Sequence, residues 1–194
     1  MSAHRRDEYL QAARLAVDPG RVEIELDMTP GIALADAILA GIDGNHDGSL
    51  SAEEHQAYRA LVLSAVELEV DGTRLKLEPG ASRFPEVDEV RRGEGTIRLH
   101  FAAALPRLSA GGHQLLFRNR HERSRSVYLA NALVPQSYQV TVAAQRRDVD
   151  QTELTIDYVL RAAPAGSTAA WLAAAAAVAT ALSAVLMRPL RALR

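Results

Sequence analysis

The chain contains no cysteine, which excludes both a disulfide framework and a thiolate metal site while leaving the redox compartment undetermined. Its histidines, His4, His46, His55, His100, His113 and His121, include no H-x-x-x-H pair or other metal-ligand spacing. The G-x-S-x-G elbow, the H-E-x-x-H zinc motif, the Walker loop and the Rossmann fingerprint are also missing. No signature of nucleophilic, zinc-hydrolytic or nucleotide chemistry is therefore present. No internal repeat is visible. Positive charge is outweighed before residue 164: that part holds 19 of the 22 basic residues and all 24 acidic ones, about −5 net, which disfavours nucleic acid as a partner.

What the sequence does hold is one stretch that names a ligand. Residues 43–54, D-G-N-H-D-G-S-L-S-A-E-E, fill the diagnostic positions of the twelve-residue calcium loop of an EF-hand. Calcium needs six to eight oxygens. Asp43, Asn45 and Asp47 offer side chains at positions 1, 3 and 5, Ser49 a carbonyl at 7, Ser51 a hydroxyl or a water at 9, and Glu54 a bidentate carboxylate at 12. Gly48 occupies position 6, where the chain turns through a conformation that costs least without a β-carbon. The bland alternative is an Asp/Gly-rich surface turn. No second loop of this kind exists to pair with Leu50 at position 8, so Leu50 is expected to pack on the rest of the fold, on another chain or on nothing. A lone loop with Asn at position 3 and Ser at position 9 is expected to bind weakly, with Kd on the order of 10⁻⁵ to 10⁻³ M.

The flanks predict helices. Thr29 as cap and Pro30 as first residue open an entering helix with Leu34, Ile38, Leu39 and Ile42 at helical spacing. Ser51 and Glu54 form an S-x-x-E capping box before an exiting helix carrying Tyr58, Leu61, Val62 and Ala65. Elsewhere the period is two. Val22, Ile24, Leu26 and Met28 alternate with polar residues behind the turn Asp18-Pro19-Gly20, and Tyr9–Val17 pairs with them as a hairpin. Further strands are expected at 68–70, 75–77, 96–101, 113–117, 127–129, 137–142 and 152–160. The predicted fold is mainly β, a β-sandwich occupying residues 1–163, with the EF-hand inserted at 29–66 between the second and third strands.

After a linker at 164–168 the composition changes. Ala169–Met187 is nineteen residues without a charge, which reads as a C-terminal transmembrane helix, and Trp171 suits an interface. The alternative is a core or amphipathic helix of similar composition. The tail at 188–194 carries Arg188, Arg191 and Arg194, whereas Arg161 is the basic residue near the other end. The positive-inside rule makes this tail cytoplasmic and the folded part extracytoplasmic, in a single-pass membrane protein. That location requires an export signal, yet Met1–Asp7 has no apolar run. The expectation is a start upstream with cleavage near Ala3; the alternative is a tail-anchored protein with its domain in the cytoplasm.

The order D-P-G-R-V-E-I-E-L-D-M, a helix, D-G-N-H-D-G-S-L-S-A-E-E and L-E-V-D-G-T-R-L-K-L resembles the extracytoplasmic N-terminal domain found on some bacterial nickel/cobalt-transporter-like membrane proteins. The resemblance spans residues 9–160. It implies the fold and a calcium shell at Asp43, Asn45, Asp47, Ser49, Ser51 and Glu54, and a link to metal-ion transport, although this chain lacks the multiple spans such a domain precedes. The expected function is a calcium-binding accessory module that meets the membrane through its C-terminal helix and recruits a protein partner. The alternatives are a calcium-stabilised hydrolase and a calcium-triggered sensor. The arginines of R-N-R-H-E-R-S-R, residues 118–125, are expected to lie in a solvated loop, the sharper alternative being contact with phosphate, lipid headgroups or an acidic partner.

Overall fold

The computed structural model describes residues 7–162. They form ten strands in two five-stranded sheets and three short helices. The first hairpin pairs β1 (Tyr9–Asp18) with β2 (Arg21–Pro30), as the alternation predicts. Strand β2 runs on through Thr29 and Pro30, so these residues neither cap nor open a helix. Met28 and Pro30 still point inward in register with the strand, and a proline is tolerated at a strand's last position. Gly31 instead precedes a 3₁₀ turn, Ile32–Leu34, and the entering helix shrinks to α1 (Ala35–Ala40). The exiting helix α2 (Ala52–Ser64) begins at Ser51 with both hydrogen bonds of the capping box.

Then follow β3 (Val66–Val70), β4 (Thr73–Arg74), β5 (Glu78–Arg83), α3 (Val87–Arg91), β6 (Ile97–Ala104), β7 (Gly111–Asn119), β8 (Ser126–Ala132), β9 (Val140–Arg147) and β10 (Glu153–Leu160). The expected strand at 75–77 does not form; β4 is a two-residue stub of the hairpin around Asp71-Gly72, both at positive φ (48° and 76°), the geometry that favours Asp-Gly. Strand β9 begins later than expected, at Val140 rather than Ser137. One sheet has the order β5-β6-β2-β1-β8 and the other β4-β3-β7-β10-β9. All pairs are antiparallel except β1 with β8.

The inward positions of both sheets merge into one hydrophobic core, from Leu15, Ile24 and Leu26 through Leu99 and Phe101 to Leu68, Leu115, Phe117 and Ile156. Burying each such side chain contributes about 1.5–3 kcal/mol, against about 0–1 for an exposed ion pair, so the core decides the fold. The strand registers define two poles. Tyr9, Pro30, Asn119, Ser126 and the β9–β10 turn lie at one, with α1, α2 and their loop. The β1–β2 turn, Asp71-Gly72, the β8–β9 connection and the end of β10 lie at the other. No helix among the described residues is long and apolar enough to cross a membrane. The run 169–187, the linker and the tail lie outside the described residues.

Candidate metal centre

The loop between α1 and α2 is organised by its own oxygens. Asp43 accepts the backbone N–H of Asp47 at Oδ1 (3.2 Å) and of Gly48 at Oδ2 (2.9 Å). Asn45 Oδ1 accepts the same Asp47 N–H at 2.9 Å, and its amide donates to Asp47 Oδ2 at 2.9 Å. Asp47 Oδ1 in turn takes the N–H (2.9 Å) and the hydroxyl (2.7 Å) of Ser49. Gly48 sits at φ +83°, as the sequence position requires, and His46 at φ +58° makes a second left-handed kink. Glu54, one turn into α2, closes the ring: Oε1 accepts from Gly44 N–H at 2.8 Å and Asn45 N–H at 3.3 Å, while Oε2 accepts from Ser51 N–H and hydroxyl, each at 2.8 Å.

The sequence-predicted ligands are therefore brought into one loop, with unequal duties. Asp43, Asn45 and Asp47 share a turn and Glu54 folds back across it, whereas Ser51 serves as helix cap and Ser49 as a donor to Asp47. Hydrogen bonds from the Ser49 hydroxyl, the Ser49 N–H and Asn45 lower the pKa of Asp47; those from Ser51, then Asn45 and Gly44, lower that of Glu54. Both are carboxylates at neutral pH. Their oxygens face backbone donors rather than a common point, and among the described residues no three His, Asp or Glu side chains converge as a ready-made metal group. The donor set nevertheless suits a hard cation: it is all oxygen, and Asp43 commits two hydrogen bonds where a carboxylate has about four lone-pair sites.

Behind the loop, Leu50 is half-buried against the main core and against a small cluster of Ala35, Leu39, Val87 and Val90. Val87 and Val90 come from α3, which the sequence reading missed. Arg91 of α3 bonds Asp36 of α1 (Nε to Oδ1, 3.1 Å), and its box of Glu86 and Glu89 caps it. The crevice between loop and α3 opens into hollows of about 340 and 280 Å³, the first containing His55 and Phe84, the second Asp43 and Arg91. The His55 ring stacks on Phe84 at 3.9 Å.

Comparison with known protein families, with curated proteins and with solved structures returns no match.

A buried network ties α2 to the sheets. The Tyr58 hydroxyl lies 2.8 Å from that of Tyr9 and 3.0 Å from His121 Nε2. Around it, the Gln11 amide donates to the His121 carbonyl at 2.8 Å, Tyr128 hydroxyl to the same carbonyl at 2.7 Å, and the Asn119 amide to Gln11 Oε1 at 2.8 Å. Burial lowers the His121 pKa and raises that of Tyr58, so both are neutral. Nothing local in the sequence reveals this: the partners come from β1, α2, the end of β7, the turn after it and β8.

The arginine cluster is split there: Arg118 belongs to β7, while Arg120, Arg123 and Arg125 stay exposed in the connection after it, each near a carboxylate. Arg118 bonds Glu153 at 2.8 Å and Glu69 at 3.0 Å, and Arg120 lies 3.6 Å from Glu67. Arg123 faces Asp150 at 3.9 Å and Arg125 faces Glu122 at 3.6 Å. With each guanidinium near a carboxylate, the net positive charge that the cluster presents is reduced.

Proposed function

We propose that the chain is a membrane-anchored, calcium-binding accessory module, an EF-hand set into a β-sandwich, in which the ion fastens the helix pair to the sheets. The observation that carries this reading is the loop 43–54: a glycine at φ +83° where the turn needs one, three carboxylates and an amide oriented by backbone donors, and Glu54 joining both ends of the loop while capping α2. Calcium would be held by Asp43, Asn45, Asp47 and Glu54, with Ser49 and Ser51 completing the shell. The ion supplies a positive centre that draws the loop's carboxylates together. Membrane attachment rests on the uncharged run 169–187, and the extracytoplasmic side on the arginines that follow it. The resemblance to the extracytoplasmic domain of nickel/cobalt-transporter-like proteins makes metal-ion transport the process such a module would serve, with a protein partner in the same membrane.

A structural rather than sensory role for calcium follows from what surrounds the helices. A sensor swings its exiting helix to expose apolar surface. Here Tyr58 and Val62 are buried in the common core, Tyr58 is bonded to Tyr9 of β1 and to His121, and Arg59 donates to the Gly80 carbonyl at 3.1 Å. Of the histidines a hydrolase could use, His121 is enclosed and bonded to Tyr58, and His55 stacks on Phe84. The test is titration calorimetry and thermal unfolding of the full chain in detergent with calcium and with magnesium. Calcium should raise the unfolding midpoint, equivalent to about 2.7 kcal/mol at a hundred times Kd. No calcium heat and no shift at several millimolar, on the order of the weakest extracellular sites, would overturn the proposal.

A further inference from the structure

We propose that the β8–β9 connection, at the pole where the chain leaves the fold, rests on the surface of a lipid bilayer. This builds on the reading of 169–187 as a membrane span. Leu133, Val134 and Tyr138 in this connection are 42%, 85% and 66% exposed, and with Pro135 and Arg161 they border an open hollow of about 640 Å³. Apolar side chains grouped this way on a surface mark a contact face.

The position of the chain exit selects the bilayer as occupant. The Arg161 N–H donates to the Gln139 carbonyl at 2.8 Å, so the chain departs from the edge of this face. Seven residues, 162–168, precede the uncharged run, and fully extended they reach at most about 25 Å. A surface on so short a tether stays near the headgroups. Its chemistry agrees: tyrosine is favoured at the membrane–water interface, where its ring is half apolar and its hydroxyl wet, and Arg161 suits anionic headgroups. The opposite pole carries the loop of Asp43, Asp47 and Glu54. In this arrangement the calcium loop faces away from the membrane.

The full chain in liposomes containing anionic lipid tests this, using lipids brominated near the headgroup as contact quenchers. Trp171 is the single tryptophan of the chain. In the wild type its quenching reports the span. Two variants, Tyr138→Trp and Val149→Trp, each with Trp171→Phe, place an indole at either pole; Val149 is 100% exposed in the β9–β10 turn. The indole at 138 should lose the greater part of its emission and shift to the blue, and the indole at 149 should be unaffected. Equal, weak quenching at 138 and 149 with Trp171 strongly quenched would overturn the bilayer face and leave the span standing. A blue shift at 138 without quenching, vanishing on dilution of protein in lipid, would assign the face to a second copy and also overturn the proposal. Unquenched Trp171 would instead remove the span, and the proposal with it.

Discussion

Replacing Tyr58 with phenylalanine deletes one oxygen and keeps the ring, yet it should be among the costlier conservative changes in the domain. The hydroxyl is the middle of a three-group chain: in either proton arrangement it donates one hydrogen bond and accepts another, to Tyr9 and His121. Both partners are buried, at 0% and 4% exposure, so water cannot replace what is lost. Each lost bond costs about 1 kcal/mol and each stranded buried group about 1–3 kcal/mol, which puts Tyr58→Phe at roughly 2–4 kcal/mol once the overlap of these ranges is counted. Tyr9→Phe breaks one bond and leaves Tyr58 bonded to His121, at about 1 kcal/mol. The double variant strands His121 alone and should cost less than the sum, with a coupling on the order of 1 kcal/mol. Urea unfolding of the four proteins, with m unchanged, measures these differences, and the midpoint of thermal unfolding of Tyr58→Phe should fall by roughly 5–10 °C. Equal costs for the two single changes, or strict additivity, would refute the idea that Tyr58 is the shared partner.

Glu54→Gln should remove most of the calcium-induced rise in midpoint while lowering the calcium-free midpoint only slightly, as seen by calorimetric scans with and without the ion; an undiminished calcium shift would exclude Glu54 from the shell. Arg118→Gln should destabilise by on the order of 1 kcal/mol because its carboxylate partners Glu67, Glu69 and Glu153 are half-buried, whereas Arg123→Gln and Arg125→Gln should each change stability by less than about 0.5 kcal/mol in urea unfolding. Burial keeps His121 and His55 below the ordinary histidine pKa near 6.5, whereas the Ser109 carbonyl and the Asp71 carboxylate raise that of His113. For His121 and His55 the unfolded chain takes the proton first, so their contribution is complete above about pH 6.5 and is lost as pH falls through their lowered values; for His113 it is complete below about 6.5 and lost as pH rises through its raised value. NMR titration should find His113 protonating at higher pH than His121, and His113→Asn should remove the loss on the alkaline side.

The parts of this fold that the sequence discloses are those with a period or a spacing. The alternation from Val22 to Met28 yields β2 and its hairpin with β1, and the capping box yields the start of α2. Strand β5 has neither: E-P-G-A-S-R is exposed throughout and joins the sheet as an edge, where Pro79 and Gly80 are tolerated. Helix α3 is five residues long with one buried side chain, Val90, too little for a helical stripe to register. The hydrogen-bonded turn of Asp43, Asn45, Asp47 and Glu54 was legible because the proposed calcium ligands stand in a contiguous dozen residues. The Tyr9–Tyr58–His121 chain was not, because Tyr58 reads as one more apolar-face residue of α2 and His121 as one more polar residue among arginines. Their meeting depends on topology that no window contains.

The parallel pairing of β1 with β8 has a consequence for the order in which the chain acquires structure. β1 lies inside its sheet, but its outer neighbour joins Tyr9 to Ser126 and Leu15 to Ala132, across most of the domain. Such distant closure is slow, and until it happens the first hairpin presents a bare strand edge of the kind that seeds aggregation. The loop 43–54 has no such wait: its bond from Gly44 to Glu54 spans 10 residues, against 63 for Tyr58 to His121. The loop 43–54 is thus among the first elements able to order and the clasp between α2 and His121 among the last, so the edge of β1 stays uncovered until β8 arrives.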